Sequence, residues 1–397
     1  MRILMVIPQK FYSTRGTPLS AYHRARELIG QGHQVDILTY APGDAPPDLR
    51  VKVYRAVGPH FSDDISPGPS RLKIWYDVLL MASLVWRLLR SHYDLIYAHE
   101  EGAFLARLAC PFGGVPYVYD MHSSLPLQIV EWKFSSSQRV VNLFRWIEKF
   151  SIGGARAVVA ISPAVERAAR NAVPSANVVT IVNHFELGQP VSGPDAALVR
   201  KRYGIAPDAP LITYTGSFVE LQSLPLLIEA VLLVRRKIPA VRFLLVGGTA
   251  EEIAPLARQA EQLGVADCIV FDVALPQSEM PAIMGAADAL VSPRIRGINP
   301  SGKLLPYLAS GRPVVATDTL VHNQMLDSSC AFLTTPDAQG LADGIVSAVS
   351  DVERREAVIA GARRFLRIYG SDSARDAAYS RLFRMIGSPA RTPLPAA

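Results

Sequence analysis

Short apolar runs of the strand type alternate with helical segments along almost the whole chain, and this alternation constrains the fold more than any other feature. The first half contains MRILMVIP, QVDILTY, YDLIYAH, PYVYDMH, AVVAIS and NVVTIVN, and the second half contains LITYTGS, VRFLLVGG, CIVFDV, ADALVSP, RPVVAT and CAFLTT. Apolar, β-branched runs that are separated by helices are typical of parallel sheets covered on both faces. The sequence therefore predicts an α/β protein with two doubly wound, Rossmann-like domains.

The alternation occurs once on each side of a polar stretch with proline and glycine, Gly188–Pro210, which is the predicted interdomain linker. We expect an N-terminal domain at residues 1–187 and a C-terminal domain at residues 211–370. A helix at residues 371–388 is expected to pack back toward the N-terminal domain, and residues 389–397 are expected to form a disordered tail. Because ligands of doubly wound sheets lie beyond the carboxyl ends of the strands, two facing domains would form a central cleft.

Length and composition exclude a disordered chain and favour two domain cores. The 397 residues are 49% hydrophobic and 19% charged, so both domains can bury a core. The three cysteines lack disulfide or metal-ligand spacing, and neither a secretory signal nor a membrane-spanning run is visible, so we expect a cytoplasmic protein. All of the formal net charge of +6 arises before Glu186, which indicates an anionic partner: nucleic acid, acidic lipid or a phosphorylated substrate.

The segment Val291–Thr317 has the composition of an anion site. It places a basic loop, a glycine-bearing turn and a short helix between two strand-like runs. Arg294 and Arg296 lie in the loop, and Lys303 lies in the first turn of the helix. Backbone N–H groups at a helix start, together with such cations, are suited to a diphosphate.

Seven motifs in order resemble those of the GT-B glycosyltransferases of the GT4 group: GQGHQVDILTY, AVVAISPAVERAA, VVTIVNHFE, LITYTGSF, VRFLLVGG, ADALVSPR and YLASGRPVVAT. The resemblance covers residues 1–387. It implies a nucleotide-sugar donor, such as a UDP- or GDP-sugar, bound mainly by the C-terminal domain, and a glycan or lipid-linked acceptor bound mainly by the N-terminal domain. It also implies transfer with retention at the anomeric carbon, no cofactor and no metal ion. The chain shows no Asp-x-Asp pair after a strand that would hold a divalent cation.

The resemblance places His122, at the end of PYVYDMH, beside the reacting sugar, where its ring or carbonyl would stabilise an oxocarbenium-like transition state. Lys303 is the preferred cation for the leaving diphosphate, because departure builds negative charge in a dry site. Further donor-binding candidates are Gly16, Thr17, Gly216, Ser217, Arg294, Arg296, Asn299, Ser301 and Gly302, with Thr17 as the expected N-cap of a helix. The acceptor-binding candidates are Arg15, Glu101 and Asp120.

Two departures from the family leave the chemistry open. Relatives carry an Arg and a Lys-Gly pair downstream of Gly216, and two Glu residues at the positions of Ile298 and Pro306, none of which occurs here. Sugar recognition would then depend on backbone amides and on the side chains of Asn299 and Ser301. The alternatives are a noncatalytic GT-B module that binds a sugar nucleotide, and a sugar-nucleotide epimerase of the same fold. An epimerase needs acid and base groups around the sugar ring, and the region near Ile298 is poor in them.

All four tryptophans, Trp75, Trp86, Trp132 and Trp146, lie in two helical regions that also carry lysine and arginine. Helices of this composition lie on acidic membrane surfaces or cover a core with a solvated outer face. We expect peripheral association with the inner face of a membrane, in envelope glycan or glycolipid assembly. No basic-aromatic strand or recognition-helix pattern is present, so nucleic acid is not an expected partner.

Overall fold

The computed structural model describes residues 1–12, 16–41, 43, 44, 46, 49, 51–58, 71–131, 137–182, 194–297 and 300–387. The chain divides into two compact units, one formed by residues 1–183 with 372–397 and the other by residues 184–371. Each unit contains its own parallel sheet. The predicted α/β class with two Rossmann-like sheets is therefore confirmed.

The first unit is built on a seven-stranded sheet. Its elements are β1 (Arg2–Ile7), α1 (Gly16–Gly30), β2 (Gln34–Thr39), β3 (Lys52–Arg55), α2 (Arg71–Arg90), β4 (Leu95–His99), α3 (Gly102–Gly113), β5 (Tyr117–Met121), α4 (Leu125–Glu131), α5 (Gln138–Gly154), β6 (Ala157–Ala160), α6 (Pro163–Ala172) and β7 (Val178–Thr180). The strand order is β3-β2-β1-β4-β5-β6-β7, and every pair is parallel. The order reverses between β1 and β4, and this is where a doubly wound sheet binds its ligand.

The second unit repeats the arrangement with six strands. Its elements are α7 (Pro194–Arg202), β8 (Leu211–Thr215), α8 (Leu224–Lys237), β9 (Arg242–Gly248), α9 (Ala250–Gln262), β10 (Ile269–Val273), α10 (Met280–Ala286), β11 (Ala289–Ser292), α11 (Leu304–Ala309), β12 (Val314–Thr317), α12 (Leu320–Asn323), β13 (Phe332–Thr334), α13 (Ala338–Ser350) and α14 (Val352–Phe365). The order β10-β9-β8-β11-β12-β13 reverses between β8 and β11. Strands β8, β11 and β12 are buried on both faces, because helices cover each side of the sheet.

The last described helix, α15 (Asp372–Met385), belongs to the first unit. Tyr379, Leu382 and Phe383 of this helix are buried in one cluster with Ile3 and Met5 of β1. The chain therefore returns to complete the core of the unit in which it began. The predicted disordered tail, residues 389–397, lies outside the described residues.

The structure differs from the sequence prediction at residues 188–210, which were predicted to form a linker. Helix α7 lies in this segment. Ile205 and Ala209, which follow the helix, are buried with Leu211 and Leu244 in a core cluster of the second unit. The polar residues that suggested a linker therefore belong in part to the outer face of a packed helix.

The second of the two helical regions predicted to carry the tryptophans consists of two helices, α4 and α5. Residues 132–136 between them lie outside the described part of the chain. Ser137 has an extended backbone (φ −70°, ψ 119°), so α5 begins anew after it. Among the described helices, none combines the length and apolar character needed to cross a membrane.

Candidate active site

A glycine turn follows β8 at the reversal point of the second sheet. Gly216 has a positive φ of 133°, which favours glycine, and its N–H donates to Val246 O at 2.9 Å. A Cβ atom on Gly216 would lie 3.0 Å from Lys303 Nζ. A Cβ on Gly247, whose φ is 125°, would lie 2.4 Å from Gly216 O. Close backbone packing therefore sets this turn directly beside the Lys303 ammonium.

Lys303 immediately precedes α11 and points its ammonium over the end of β8. Its Nζ donates to Gln222 Oε1 at 3.0 Å and lies 3.6 Å from the centroid of the Tyr214 ring. Burial, and then the charge of Arg294, hold the pKa of Lys303 well below its usual range. Within the described residues, Lys303 has no ion pair with a carboxylate. An anion at this position would therefore supply the missing opposite charge.

The predicted basic loop divides into buried and exposed parts. Arg294 is 8% exposed, and its Nε donates to Arg296 O at 2.8 Å, so its side chain folds back onto its own loop. The side chain of Arg296 is exposed. Ser301 is buried, Gly302 is exposed, and Asn299 lies outside the described residues. Of these candidates, Arg294 lies near enough to Lys303 for its charge to lower the pKa of Lys303.

Pro306 is compatible with a short helix because α11 begins at Leu304. The third helical residue needs no backbone N–H partner within the helix. The next residue, Tyr307, accepts a hydrogen bond from Thr215 N at 2.7 Å and is buried. The sequence did not reveal this contact, which fixes α11 to the end of β8.

A buried His–Ser–Thr group supports the loop that carries Arg294, and sequence reasoning missed it. His322 Nε2 lies 2.8 Å from Ser292 Oγ at the end of β11, and His322 Nδ1 lies 2.8 Å from Thr317 O at the end of β12. Thr317 Oγ1 donates to Arg294 O at 2.6 Å. Burial lowers the pKa of His322 to about 4, so the ring is neutral near pH 7. It connects the ends of β11 and β12 through hydrogen bonds.

In the first unit, ionisable side chains converge where β4 and β5 end. Asp120 Oδ2 lies 3.4 Å from His99 Nδ1, and Asp120 Oδ1 lies 3.5 Å from His122 Nε2. Arg24 Nε of α1 donates to Asp120 Oδ2 at 3.3 Å. All four side chains are buried. His99 and Asp120 are register partners on adjacent strands, which brings their side chains together. The sequence predicted His122 and Asp120 here, whereas Arg24 and His99 were missed.

The electrostatics of this cluster separate the two histidines. Burial opposes the charged form of Asp120, but Arg24 and the histidines outweigh it and lower the pKa of Asp120. Burial likewise opposes a charged His122, but Asp120 outweighs it and raises the pKa of His122. Burial lowers the pKa of His99 to about 3. Of the two rings, His122 therefore holds a proton more readily than His99.

The ligand atoms of His99, Asp120 and His122 lie within 4.8 Å of one another, which is a geometry that a metal ion can use. Arg24 already holds Asp120 Oδ2. A guanidinium in contact with the same carboxylate repels a dication. We therefore interpret the cluster as an ion-pair network, and the absence of a metal requirement stays a prediction.

Carboxylates line the start of α3 next to the histidines. Glu101, which was predicted to bind the acceptor substrate, forms an ion pair with Lys73 of α2. Asp77, also on α2, accepts a hydrogen bond from Tyr40 Oη at 2.6 Å. Glu100 is 4% exposed, and burial raises its pKa to about 7. Burial, and then Glu101, raise the pKa of Asp77 to about 7. Ionised carboxylates accept hydrogen bonds and protonated carboxyl groups donate them, so this group of side chains suits a ligand with hydroxyl groups.

The glycine-containing loop before α1 is described only in part. Arg15 lies outside the described residues. Helix α1 begins at Gly16, so Thr17 lies in its first turn and is not the N-cap residue that we predicted. The helix begins two residues earlier than a Thr17 N-cap would imply. Glycine and threonine are tolerated there, because the first N–H groups of a helix have no intrahelical partner. Gly16 and Thr17 stay candidates for donor binding.

Comparisons with known proteins agree with this architecture. Residues 14–188 match the family described as Glycosyltransferase Family 4, and residues 209–351 match Glycosyl transferases group 1. Sucrose-phosphate synthase from Thermosynechococcus elongatus superposes with a TM-score of 0.71 at 19% identity, over 97% of this chain and 99% of that chain. Anabaena Alr3699/HepE in complex with UDP superposes with a TM-score of 0.70 at 19% identity, over 97% and 100%. At this identity the two structures show a shared fold.

Curated relatives match along nearly the whole chain. The 2-deoxystreptamine N-acetyl-D-glucosaminyltransferase of Streptomyces fradiae is 25% identical over 92% of this chain and 90% of its own length. The phosphatidyl-myo-inositol mannosyltransferase of Mycobacterium leprae is 27% identical over 91% of each chain. Two Rossmann-like sheets with these matches define a glycosyltransferase of the GT-B fold. The N-terminal part of the chain therefore belongs to Glycosyltransferase Family 4 and the C-terminal part to Glycosyl transferases group 1, and the protein is a hexosyltransferase.

Proposed function

We propose that the enzyme moves a sugar from a nucleotide-diphosphate sugar to a hydroxyl group of a glycan or lipid-linked acceptor, with retention and without a metal ion. The observation that carries the proposal is Lys303, whose ammonium lies beside the Gly216 turn and has no carboxylate partner within the described residues. A diphosphate leaving group needs such a cation, because its departure builds negative charge.

The second unit is the proposed donor site. Alr3699/HepE forms complexes with UDP and with UDP-glucose, which supports a nucleotide sugar as the donor here. The Gly216 turn would bring Ser217 close to the phosphates, with Lys303 on one side and Arg294 behind it. A bound diphosphate would favour the charged form of Lys303, whose pKa is lowered in the free protein.

The first unit is the proposed acceptor site, and His122 is the proposed catalytic residue. A protonated ring is a hydrogen-bond donor and not a nucleophile, so we infer that it orients the sugar while its backbone carbonyl faces the developing positive charge. Glu101 would accept hydrogen bonds from hydroxyl groups of the acceptor substrate. Asp120 would affect the acceptor substrate indirectly, by orienting the ring of His122. Neither role requires a divalent cation.

The reaction can be tested by following product formation with proton NMR. UDP- and GDP-sugars are offered with polyol acceptors, including 2-deoxystreptamine and myo-inositol compounds, which the relatives' names mention. We expect a product whose anomeric coupling matches that of the donor, formed equally in the presence of EDTA. His122→Ala should abolish it, whereas His92→Ala, at a side chain that is 91% exposed, should not.

Three results would each contradict a part of this proposal. An inverted anomeric coupling would exclude retention, and loss of activity with EDTA would exclude metal independence. A donor that is converted into its epimer without transfer would favour the sugar-nucleotide epimerase. A donor that binds without turnover would favour the noncatalytic binding module.

We also propose that the enzyme works at a membrane surface, with α2 as its contact. Trp75, Val78, Trp86 and Leu89 are 40%, 55%, 52% and 63% exposed. Their spacing of three, eight and three residues places them on one face of the helix. Arg87 and Arg90 lie at its C-terminal end, as in helices that bind acidic lipid headgroups.

Flotation with anionic liposomes tests this contact. We expect binding at low salt that weakens at high salt, and a marked loss of binding in Trp86→Ser combined with Leu89→Ser. Leu198→Ser is the matched control, because Leu198 is 62% exposed on the second unit. Absence of flotation at low salt, or equal loss in the control, would exclude the proposed surface.

A further inference from the structure

A buried arginine connects the C-terminal helix to the cluster around His122. Arg24 is 2% exposed, and its Nη1 donates to Tyr379 Oη of α15 at 2.7 Å. Its Nη2 donates to Ile181 O at 3.1 Å, and its Nε donates to Asp120 Oδ2 at 3.3 Å. These three contacts use different nitrogens of one planar group. They fix the orientation of the guanidinium relative to Asp120.

Tyr379 holds this guanidinium from the opposite end of the sequence. Its side chain is 1% exposed, and its hydroxyl donates to Glu27 Oε2 while accepting from Arg24. Arg24 Nη1 also donates to Glu27 Oε2 at 3.1 Å. Tyr379, Glu27 and Arg24 therefore form a closed triangle of hydrogen bonds. Helix α15 supplies one corner of this triangle, Tyr379.

We propose that Arg24 and Tyr379 are positioning residues for His122: Tyr379 orients the guanidinium, Arg24 fixes the carboxylate of Asp120, and Asp120 fixes the ring of His122. This inference rests on the proposed function for the importance of His122, but its physical content is the charge state and orientation of that ring. It assigns the C-terminal helix a role in the active site beyond completing a core.

The charged groups that face His122 predict in which direction its pKa should change in each variant. Asp120 on β5 and Glu100, which follows β4, favour a protonated ring, whereas Arg24 on α1 disfavours it, and the neighbouring His99 of β4 is neutral. Removing Arg24 should therefore raise the pKa of His122, and removing the charge of Asp120 should lower it. A general loosening of the unit would instead lower the pKa toward its ordinary value in every variant.

Histidine-selective NMR titration measures this directly in the full chain, with the His122 resonance assigned by its loss in His122→Gln. In Tyr379→Phe, Arg24 Nη1 loses the Tyr379 hydroxyl as an acceptor and keeps its contact with Glu27, so we expect the guanidinium to turn away from Asp120. We expect the pKa of His122 to rise in Tyr379→Phe, to rise further in Arg24→Gln, and to fall in Asp120→Asn. The matched control is Tyr93→Phe, which removes a similarly buried hydroxyl that donates to Asp36 Oδ2 at 2.9 Å.

Steady-state kinetics give a second readout. We expect Tyr379→Phe to lower kcat with an unchanged donor KM, because the donor site lies in the other unit, and Tyr93→Phe to change neither. A downward or absent pKa shift in both Tyr379→Phe and Arg24→Gln would overturn the inference. If no donor is turned over by the wild type, the proposed function fails, while the titration still decides whether Arg24 and Tyr379 set the state of His122.

Discussion

Glu100 is an uncommon residue for a protein core, and replacing it by glutamine should stabilise the first unit above neutral pH. The side chain is 4% exposed, and its backbone has a positive φ of 47° at the end of β4. Gln128 Nε2 donates to Glu100 Oε2 at 3.4 Å, which is a weak hydrogen bond. The ionised carboxylate is therefore poorly compensated where it is buried.

The size of the effect follows from the pKa. Burial raises the pKa of Glu100 from 4.5 to about 7, which corresponds to about 3 kcal/mol at about 1.4 kcal/mol per unit. Because the folded state holds this proton more tightly, it binds more protons than the unfolded state between pH 4.5 and 7. Its stability therefore falls as the pH rises through that window. Glutamine does not titrate, so the variant should gain about 3 kcal/mol over the wild type at pH 8 and nothing at pH 4.5.

Tryptophan fluorescence during urea unfolding is a suitable assay, because all four tryptophans of the sequence lie in residues 1–183 and report on the first unit alone. Stability is measured at pH 4.5, 6 and 8 for the wild type and for Glu100→Gln. Glu229→Gln, at an exposed position of α8, serves as the control. A stability difference between Glu100→Gln and wild type that does not change with pH would refute the reasoning.

Three further predictions concern the second unit. Lys303→Gln should weaken UDP binding by about 2 kcal/mol and abolish the proton uptake that we expect in the wild type above neutral pH, as calorimetry in buffers of different ionisation enthalpy would detect. Gly247→Ala should destabilise this unit by about 2 kcal/mol or more in hydrogen exchange, because its Cβ would lie 2.4 Å from Gly216 O; wild-type exchange rates would contradict this. Tyr307→Phe leaves the buried Thr215 N–H without its acceptor and should cost about 1 to 3 kcal/mol in the same measurement, whereas an unchanged stability would show that another group accepts it.

The parallel sheets could be predicted because burial on both faces leaves a direct mark on the sequence. A strand such as β5, YVYDM, reads as a short apolar run whatever its neighbours are. The polar residues that end such runs, Asp120 and His122, could also be predicted, since ligands bind beyond the carboxyl ends of strands. These features depend on local sequence and on one general rule of topology.

The rest of the site depends on contacts between residues that are far apart in the chain. Arg24 contacts Asp120 and Tyr379, which are 96 and 355 residues away along the chain, and nothing near Arg24 in the sequence marks it as buried. Lys303 was predicted from its own segment, but its neighbour Gln222 comes from the segment after β8. The linker was mispredicted for the same reason, because the burial of Ile205 is decided by a distant strand.

The central claim is that the enzyme cleaves a nucleotide sugar in a reaction that requires both Lys303 of the second unit and His122 of the first unit. Phosphorus NMR of a UDP- or GDP-sugar incubated with the enzyme and an acceptor panel tests it most directly. We predict release of the nucleoside diphosphate by the wild type, lost in both Lys303→Gln and His122→Gln and retained in His92→Gln. Tight binding of the donor without release, or release that is equally fast in the two site variants, would contradict the account.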